Sequence, residues 1–177
     1  GGVLILTGGP GTGKTTTVNG MIQLLQTRGI TVDLAAPTGR AAKRLSQATG
    51  ESAQTLHRLL DYNPSQGFGH DEEDPLETEL VIVDEVSMVD IFLMNRLLAA
   101  LPEAAGLVLV GDADQLPSVG AGTVFNDCIE SGVLPVVELD RIYRQARNSG
   151  VVMNAHRINQ GKIPEPGYDD FFYEEMD

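Results

Sequence analysis

Apolar residues in this chain come in short continuous runs, and the stretches between them carry apolar residues at helical spacing. Residues 3–7 (Val-Leu-Ile-Leu-Thr), stopped by glycines, predict a buried strand. From residue 14 to about 28, Val18, Met21, Ile22 and Leu25 recur every three or four positions; this predicts a helix, with Arg28 in its last turn and Gly29 just beyond its end. Residues 31–35 predict a second strand, ended by Pro37. Residues 41–48 read as a helix closed by Gly50, and 52–60 as another helix. Residues 61–79 are polar, acidic and rich in glycine and proline, and predict a loop or small insertion. Residues 80–84 predict the cleanest buried strand in the chain. A helix is expected from about 90 to 101, halted by Pro102, then a strand at 107–111 and a helix at 123–131 ending at Gly132. A strand at 136–139 and a helix at 151–159 complete the alternation.

Strands that alternate with helices and are apolar on both sides imply an α/β fold: a parallel sheet with helices on both faces. The reading gives one unit over residues 1–160, carrying a small acidic insertion at about 61–79. From Gly161 the composition turns to proline, glycine, acids and aromatics, so 161–177 is read as a linker or the start of a further domain. No repeat or low-complexity tract interrupts the pattern.

Composition changes this picture little. With 177 residues, 42% of them hydrophobic, the chain can bury a sizeable core. No apolar run approaches the roughly 20 residues of a membrane span, and no signal-like segment opens the chain, so no membrane partner is expected. The single cysteine, Cys128, fits a reducing, cytoplasmic setting. Twelve basic against 25 acidic residues give a net charge of −13, which argues for weak nucleic-acid binding by this chain alone. The charge is segregated, however: acids cluster at 71–79 and 169–177, while Arg40, Lys43, Arg44 and Arg58 form a basic group.

The chemistry sits at the ends of the expected strands. Gly8, Gly9, Pro10, Gly11, Thr12, Gly13, Lys14 and Thr15 satisfy the P-loop spacing, glycine, four residues, then Gly-Lys-Thr, and lie between a strand and a helix. Glycines let backbone N–H groups turn in around phosphates, and the helix N-terminus adds partial positive charge. These residues and Thr16 are the candidate binding set for ATP and Mg²⁺, Lys14 reaching the β- and γ-phosphates and the Thr15 hydroxyl holding the metal. Val81-Ile-Val-Asp84-Glu85 ends a buried strand with two acids, Asp84 to support Mg²⁺ and Glu85 to orient or deprotonate the attacking water. Gln115, in Asp112-Ala-Asp-Gln-Leu-Pro117, follows another strand and can sense the γ-phosphate; a surface turn held by Asp112 and Pro117 is the plainer reading of the same spacing. Arg141 and Arg144 are both candidates to neutralise transition-state charge, and spacing does not choose between them.

Taken in order, these motifs resemble those of superfamily 1 DNA helicases, in the RecD-like branch that includes the exodeoxyribonuclease V α-subunit. The resembling segments are the P-loop, Ala36-Pro-Thr-Gly-Arg-Ala-Ala-Lys-Arg44, Thr55-Leu-His-Arg-Leu-Leu60, Val83-Asp-Glu-Val-Ser-Met88, Val110-Gly-Asp-Ala-Asp-Gln-Leu-Pro117, Tyr143-Arg-Gln145 and Ala155-His-Arg-Ile-Asn-Gln-Gly161. The resemblance implies a RecA-like P-loop NTPase fold and an ATP hydrolase acting as a DNA helicase in recombination and repair. It implies 5′-to-3′ translocation on single-stranded DNA, with Pro37, Thr38, Gly39 and Arg40 gripping the backbone and Thr55 and His57 lining the same path. It selects Arg144 over Arg141 as the arginine facing the γ-phosphate, and makes Lys14, Glu85, Gln115 and Arg144 the catalytic set. It also implies a second RecA-like domain, and in some members nuclease-complex subunits, as partners. No motifs of that second domain follow Tyr143-Arg-Gln145, so the chain is expected to be a fragment of low activity by itself. A competing reading, a P-loop switch ATPase that remodels a protein partner, lacks a reason for the Gly-Asp-x-x-Gln-Leu-Pro and Tyr-Arg-Gln segments.

Overall fold

The apolar runs pair side by side, and every pairing is parallel. The computed structural model describes residues 1–143 and 146–172. Strands β1 (Val3–Gly8), β2 (Val32–Ala36), β3 (Ala53–Thr55), β4 (Leu80–Val83), β5 (Gly106–Gly111) and β6 (Val136–Leu139) form one sheet in the order β3-β2-β4-β5-β1-β6. The register sets Ile5 beside Leu109 and Val136, Leu34 beside Ile82, and Val81 beside Leu107. The helices are α1 (Lys14–Gln26), α2 (Gly39–Thr49), α3 (Leu56–Leu59), α4 (Ile91–Ala100), α5 (Val124–Glu130) and α6 (Gly150–Asn159).

Alternation along each buried strand divides the core in two, because successive side chains point to opposite faces. Ile5, Val81, Val83, Leu107 and Leu109 pack with Leu56 and Leu59 of α3, Met94 and Leu97 of α4, and Phe125 of α5. Leu6, Leu34, Ile82, Val108 and Val110 pack with Val18 and Ile22 of α1 and Leu45 of α2. Both faces are therefore covered, and the central strands can be apolar throughout.

Local signals set the helix ends. Thr38 accepts a hydrogen bond from the Ala41 N–H at 3.2 Å, and Asp90 accepts one from Leu93 at 2.8 Å, each satisfying a donor of the first turn. Gly50, with φ of 77°, closes α2 in the left-handed region.

The helix expected over 52–60 is corrected. Ala53–Thr55 is instead an edge strand paired with β2, and only Leu56–Leu59 makes one helical turn. Thr55 is extended (φ −74°, ψ 151°), and its hydroxyl accepts from the Arg58 N–H, so the chain changes from strand to helix at that residue. The Ser46 hydroxyl accepts from the Ala53 N–H at 2.8 Å and fixes the strand's entry.

Residues 61–79 contain no helix and only an isolated bridge between Asn63 and Gly67, yet they are anchored at several points. Tyr62 and Phe68 cluster with the His57 ring, and the Arg96 guanidinium of α4 lies 5.8 Å from the Phe68 ring centre. Leu76 is buried, and its N–H donates to the Ala100 carbonyl. Glu79 accepts from both the N–H and the hydroxyl of Thr31, which hold its carboxyl below the ordinary value.

Leu97 is fully buried in the cluster under α4. Leu97→Ala is expected to lower stability by about 2–5 kcal/mol, read as a lower urea midpoint with unchanged slope.

Candidate active site

Because the strands are parallel, the loops after β1, β2, β4 and β5 emerge along one edge of the sheet. One cleft of about 920 Å³ opens there, lined by residues 9–16, by Asp84 and Glu85, by Gln115, by Arg44 from α2, and by Tyr143 and Ala146. The acid pair and the glycine loop, 70 residues apart in sequence, thus face a shared space.

The loop leaves β1 at Gly8 and enters α1 at Lys14. Gly13 has φ of 92°, a conformation that favours glycine, and a Cβ there would sit 2.4 Å from Tyr143 Cε2, so a side chain would also displace that ring. The buried Thr12 hydroxyl donates to the Gly9 carbonyl at 2.8 Å and closes the loop from within. Lys14 donates from Nζ to the carbonyls of Gly8 (2.5 Å) and Gly9 (3.1 Å), which holds the ammonium over the loop. Thr15 and Thr16 are exposed on the cleft side.

β4 ends in the two acids, and they differ in environment. Burial pushes the Asp84 carboxyl above its ordinary value; the Glu85 N–H, donating to Asp84 Oδ1 at 2.9 Å, opposes that shift. The Glu85 charge adds to the rise, and Lys14 and Arg44 oppose it. A carboxylate short of water in this way gains from an added cation. With the Thr15 hydroxyl on the same cleft, it supplies the hard oxygen donors that Mg²⁺ prefers. Glu85 lies in the left-handed region (φ 56°, ψ 40°), which a non-glycine residue adopts at a cost. That bend starts a single 3₁₀ turn, Val86–Met88, and leaves Glu85 lining the cleft instead of prolonging the strand.

Gln115 also lines the cleft. Its side-chain oxygen accepts from the Ser87 hydroxyl at 3.2 Å, tying the loop after β5 to the turn after Glu85. The turn of the plainer reading is present, and it does not withdraw Gln115 from the cleft. Asp112 builds the turn, accepting from the N–H groups of Asp114 and Gln115, and the turn presents Gln115 to the cleft.

A second groove adjoins the first, lined by Thr38, Arg40, Ala41, Arg44, Glu85, Met88 and Gln115. It gathers two of the six candidate DNA contacts, Thr38 and Arg40. Pro37, Gly39, Thr55 and His57 do not line it, and His57 is engaged with Tyr62 and Phe68. Thr38 and Thr55 are both helix N-caps; each hydroxyl oxygen accepts from the backbone, and its proton remains available for a phosphate oxygen. Arg144 and Gln145 lie outside the described residues. Sequence reasoning missed Arg44 and Tyr143 as cleft residues and Ser87 as the partner of Gln115, although all three lie in the resembling segments; Tyr143 stood one position before the arginine singled out.

Residues 1–121 match a family described as an AAA domain. The ATP-dependent RecD2 DNA helicase of Deinococcus radiodurans is 46% identical over 165 residues, covering 93% of this chain and 23% of that protein. The RecBCD enzyme subunit RecD of Mycolicibacterium smegmatis is 42% identical over 182 residues, covering 88% and 33% respectively. The chain belongs to the AAA-domain family and resembles the corresponding region of RecD-type helicases. A crystal structure of Pif1 helicase from Candida albicans superposes with a TM-score of 0.68 at 25% identity, over 93% of this chain and 42% of that one. The RecD-like domain thus spans about a quarter to a third of the curated relatives it matches. Nucleotide binding is implied by the family. No helix among the described residues is long and apolar enough to cross a membrane.

The left-handed backbone at Glu85 can be tested apart from its carboxylate. Glu85→Gly is expected to keep stability within about 1 kcal/mol of the parent or raise it, because glycine relieves the conformation at some entropic cost. Glu85→Val, β-branched at the same φ, is expected to lose about 1 kcal/mol or more by urea denaturation.

Proposed function

We propose that this domain binds ATP with Mg²⁺ and hydrolyses it as the first motor domain of a helicase that moves along single-stranded DNA. The observation that carries the reading is the single cleft shared by Lys14, Thr15, Asp84, Glu85 and Gln115. Loop N–H groups and the start of α1 bind the phosphates, with residues 8–16 forming the cradle. Lys14 moves its ammonium from loop carbonyls to the β- and γ-phosphates. Thr15 and Asp84 would hold Mg²⁺, which would supply charge neutralisation at the phosphates. Glu85 accepts a hydrogen bond from the attacking water and draws off its proton. Gln115, bound to Ser87 on one side, senses the γ-phosphate on the other. Arg144 is proposed as the arginine that faces it.

The DNA path follows the adjoining groove. Thr38 and Arg40 contact phosphates, and Pro37, Gly39, Thr55 and His57 complete the path along the neighbouring strand ends. Such contacts are blind to sequence, as a translocating motor requires. Glu85 and Gln115 line both grooves, so a change at the γ-phosphate is felt where the DNA backbone lies. Residues 1–160 form the motor unit in this reading, with 61–79 as an insertion and 161–177 leading to a second motor domain. That second domain, and in relatives of the RecBCD type the other subunits, are the proposed partners, in a cytoplasmic protein that translocates 5′ to 3′ in DNA recombination and repair.

In the full-length protein, Lys14→Ala is expected to abolish ATP turnover with the fold intact by circular dichroism; near-normal turnover sinks the phosphate assignment. Glu85→Gln is expected to bind ATP as well as the parent or better and to stop hydrolysis. Weakened binding with retained turnover contradicts that role.

The DNA groove is tested with a substitution that keeps the cap. Thr38→Asp caps a helix as well as threonine but sets a negative charge against phosphate. It is expected to leave the urea midpoint unchanged and to weaken single-stranded DNA binding about tenfold at low salt. Arg40→Ala is expected to weaken binding regardless of sequence and to reduce the salt slope by about 0.7. Unchanged affinity in both variants removes this groove from the DNA path.

A further inference from the structure

The chain beyond β6 returns across the glycine loop and bonds to it twice. The Tyr143 N–H donates to the Gly11 carbonyl at 3.1 Å, and His156 Nε2 lies 3.0 Å from the Pro10 carbonyl. A carbonyl oxygen can only accept, so Nε2 carries the proton in that contact. The imidazole also lies against Gly9, where a Cβ would sit 2.5 Å from His156 Cε1. When loop N–H groups turn inward, carbonyls are left facing outward, and His156 supplies one with a donor.

One helical turn later, Asn159 Nδ2 donates to Asp114 Oδ2 at 3.0 Å. Asp114 immediately precedes Gln115, and both N–H groups are held by Asp112. His156 and Asn159, three residues apart, share one face of α6. The opposite face, rotated by roughly 160° at 3.6 residues per turn, carries Asn154 and Arg157. Asn154 is fully buried and exchanges two hydrogen bonds with the Glu165 backbone, at 2.9 and 2.7 Å. Arg157 pairs with the Glu165 carboxylate at 2.8 Å. α6 is therefore fastened on one side to the two loops of the cleft, and on the other to the chain that follows it.

We propose that α6 is a brace for the ATPase site, with His156 and Asn159 as positioning residues that hold the nucleotide loop and the Gln115 loop in one relative arrangement. His156 acts through Pro10 on phosphate binding. Asn159 acts through Asp114 on Gln115, and so on the step after binding. The chain strapped to the outer face of α6 is the route by which movement of a following segment reaches both loops.

The inference rests on the nucleotide reading of the cleft, and the experiment separates the two. In the full-length protein, Mg²⁺–ADP binding and the kcat and KM for ATP are measured for the parent, His156→Ala, His156→Gln, Asn159→Ala and the double alanine variant. A parent that binds no Mg²⁺–ADP overturns the nucleotide reading itself. With a binding-competent parent, His156→Ala is expected to weaken Mg²⁺–ADP binding and raise KM roughly 3- to 10-fold, the range of one hydrogen bond. His156→Gln, which can offer an N–H to Pro10, is expected to recover most of that loss. Asn159→Ala is expected to lower kcat roughly 3- to 10-fold with KM nearly unchanged, and the double variant to lose less than the product of the two. The brace is overturned if both alanine variants keep kcat and KM within twofold of the parent. It is equally overturned if they lower only the melting temperature, or if glutamine at 156 behaves as alanine does. Should His156→Ala fail to fold, His156→Gln and Asn159→Ala carry the same test.

Discussion

Parallel strands can be joined only by a chain that crosses back over the sheet, so each strand delivers its following loop to the same edge. In this domain that constraint brings Lys14, Asp84 and Gln115 together, though each belongs to a different crossover. The cleft is a consequence of strand direction before it is a consequence of any motif. It depends on the two-sided core: Leu6, Ile82 and Val108 under α1 and α2, and Ile5, Val81 and Leu109 under α3 to α5, hold the strand ends in register. A slip of one residue in β4 would exchange those sets and swing the acid pair off the cleft.

Within that frame, small polar groups do two tasks at once. Thr38 caps α2 and faces the second groove; Asp112 builds a turn and so aims Gln115; Ser87 follows the bend at Glu85 and binds Gln115. The strain at Glu85 belongs to the same design. A residue in a relaxed extended conformation would prolong β4, and the second carboxylate would point across the sheet rather than along its edge.

Much of this was legible in the sequence, for physical reasons that differ by element. β1, β4 and β5 were evident because central parallel strands are apolar on both faces, and the P-loop because phosphate binding demands glycine at fixed spacing. β3 was not, since Ala53-Gln-Thr is short, partly polar and at the sheet edge, where tertiary pairing overrides local preference. The anchoring of residues 61–79 was hidden for another reason. It depends on isolated residues, Phe68, Leu76 and Glu79, whose partners lie far away in the chain. Likewise His156 stood in a family-like segment, but only the return of α6 across the loop gave it a partner.

Charge shows why the cleft has to be built from backbone. The charged side chains among its described lining are Lys14, Arg44, Asp84 and Glu85, two of each sign. By themselves these four sum to no net charge, and the chain as a whole, at −13, repels a triphosphate. Beside the proposed Lys14, Mg²⁺ and Arg144 contacts, binding then rests heavily on the loop N–H groups and the start of α1, whose partial charges are fixed in direction and do not titrate. Such donors act only while the loop keeps its shape. A cradle that attracts through geometry rather than net charge has reason to be braced from outside, and contacts such as His156 to Pro10 lie on that outer side.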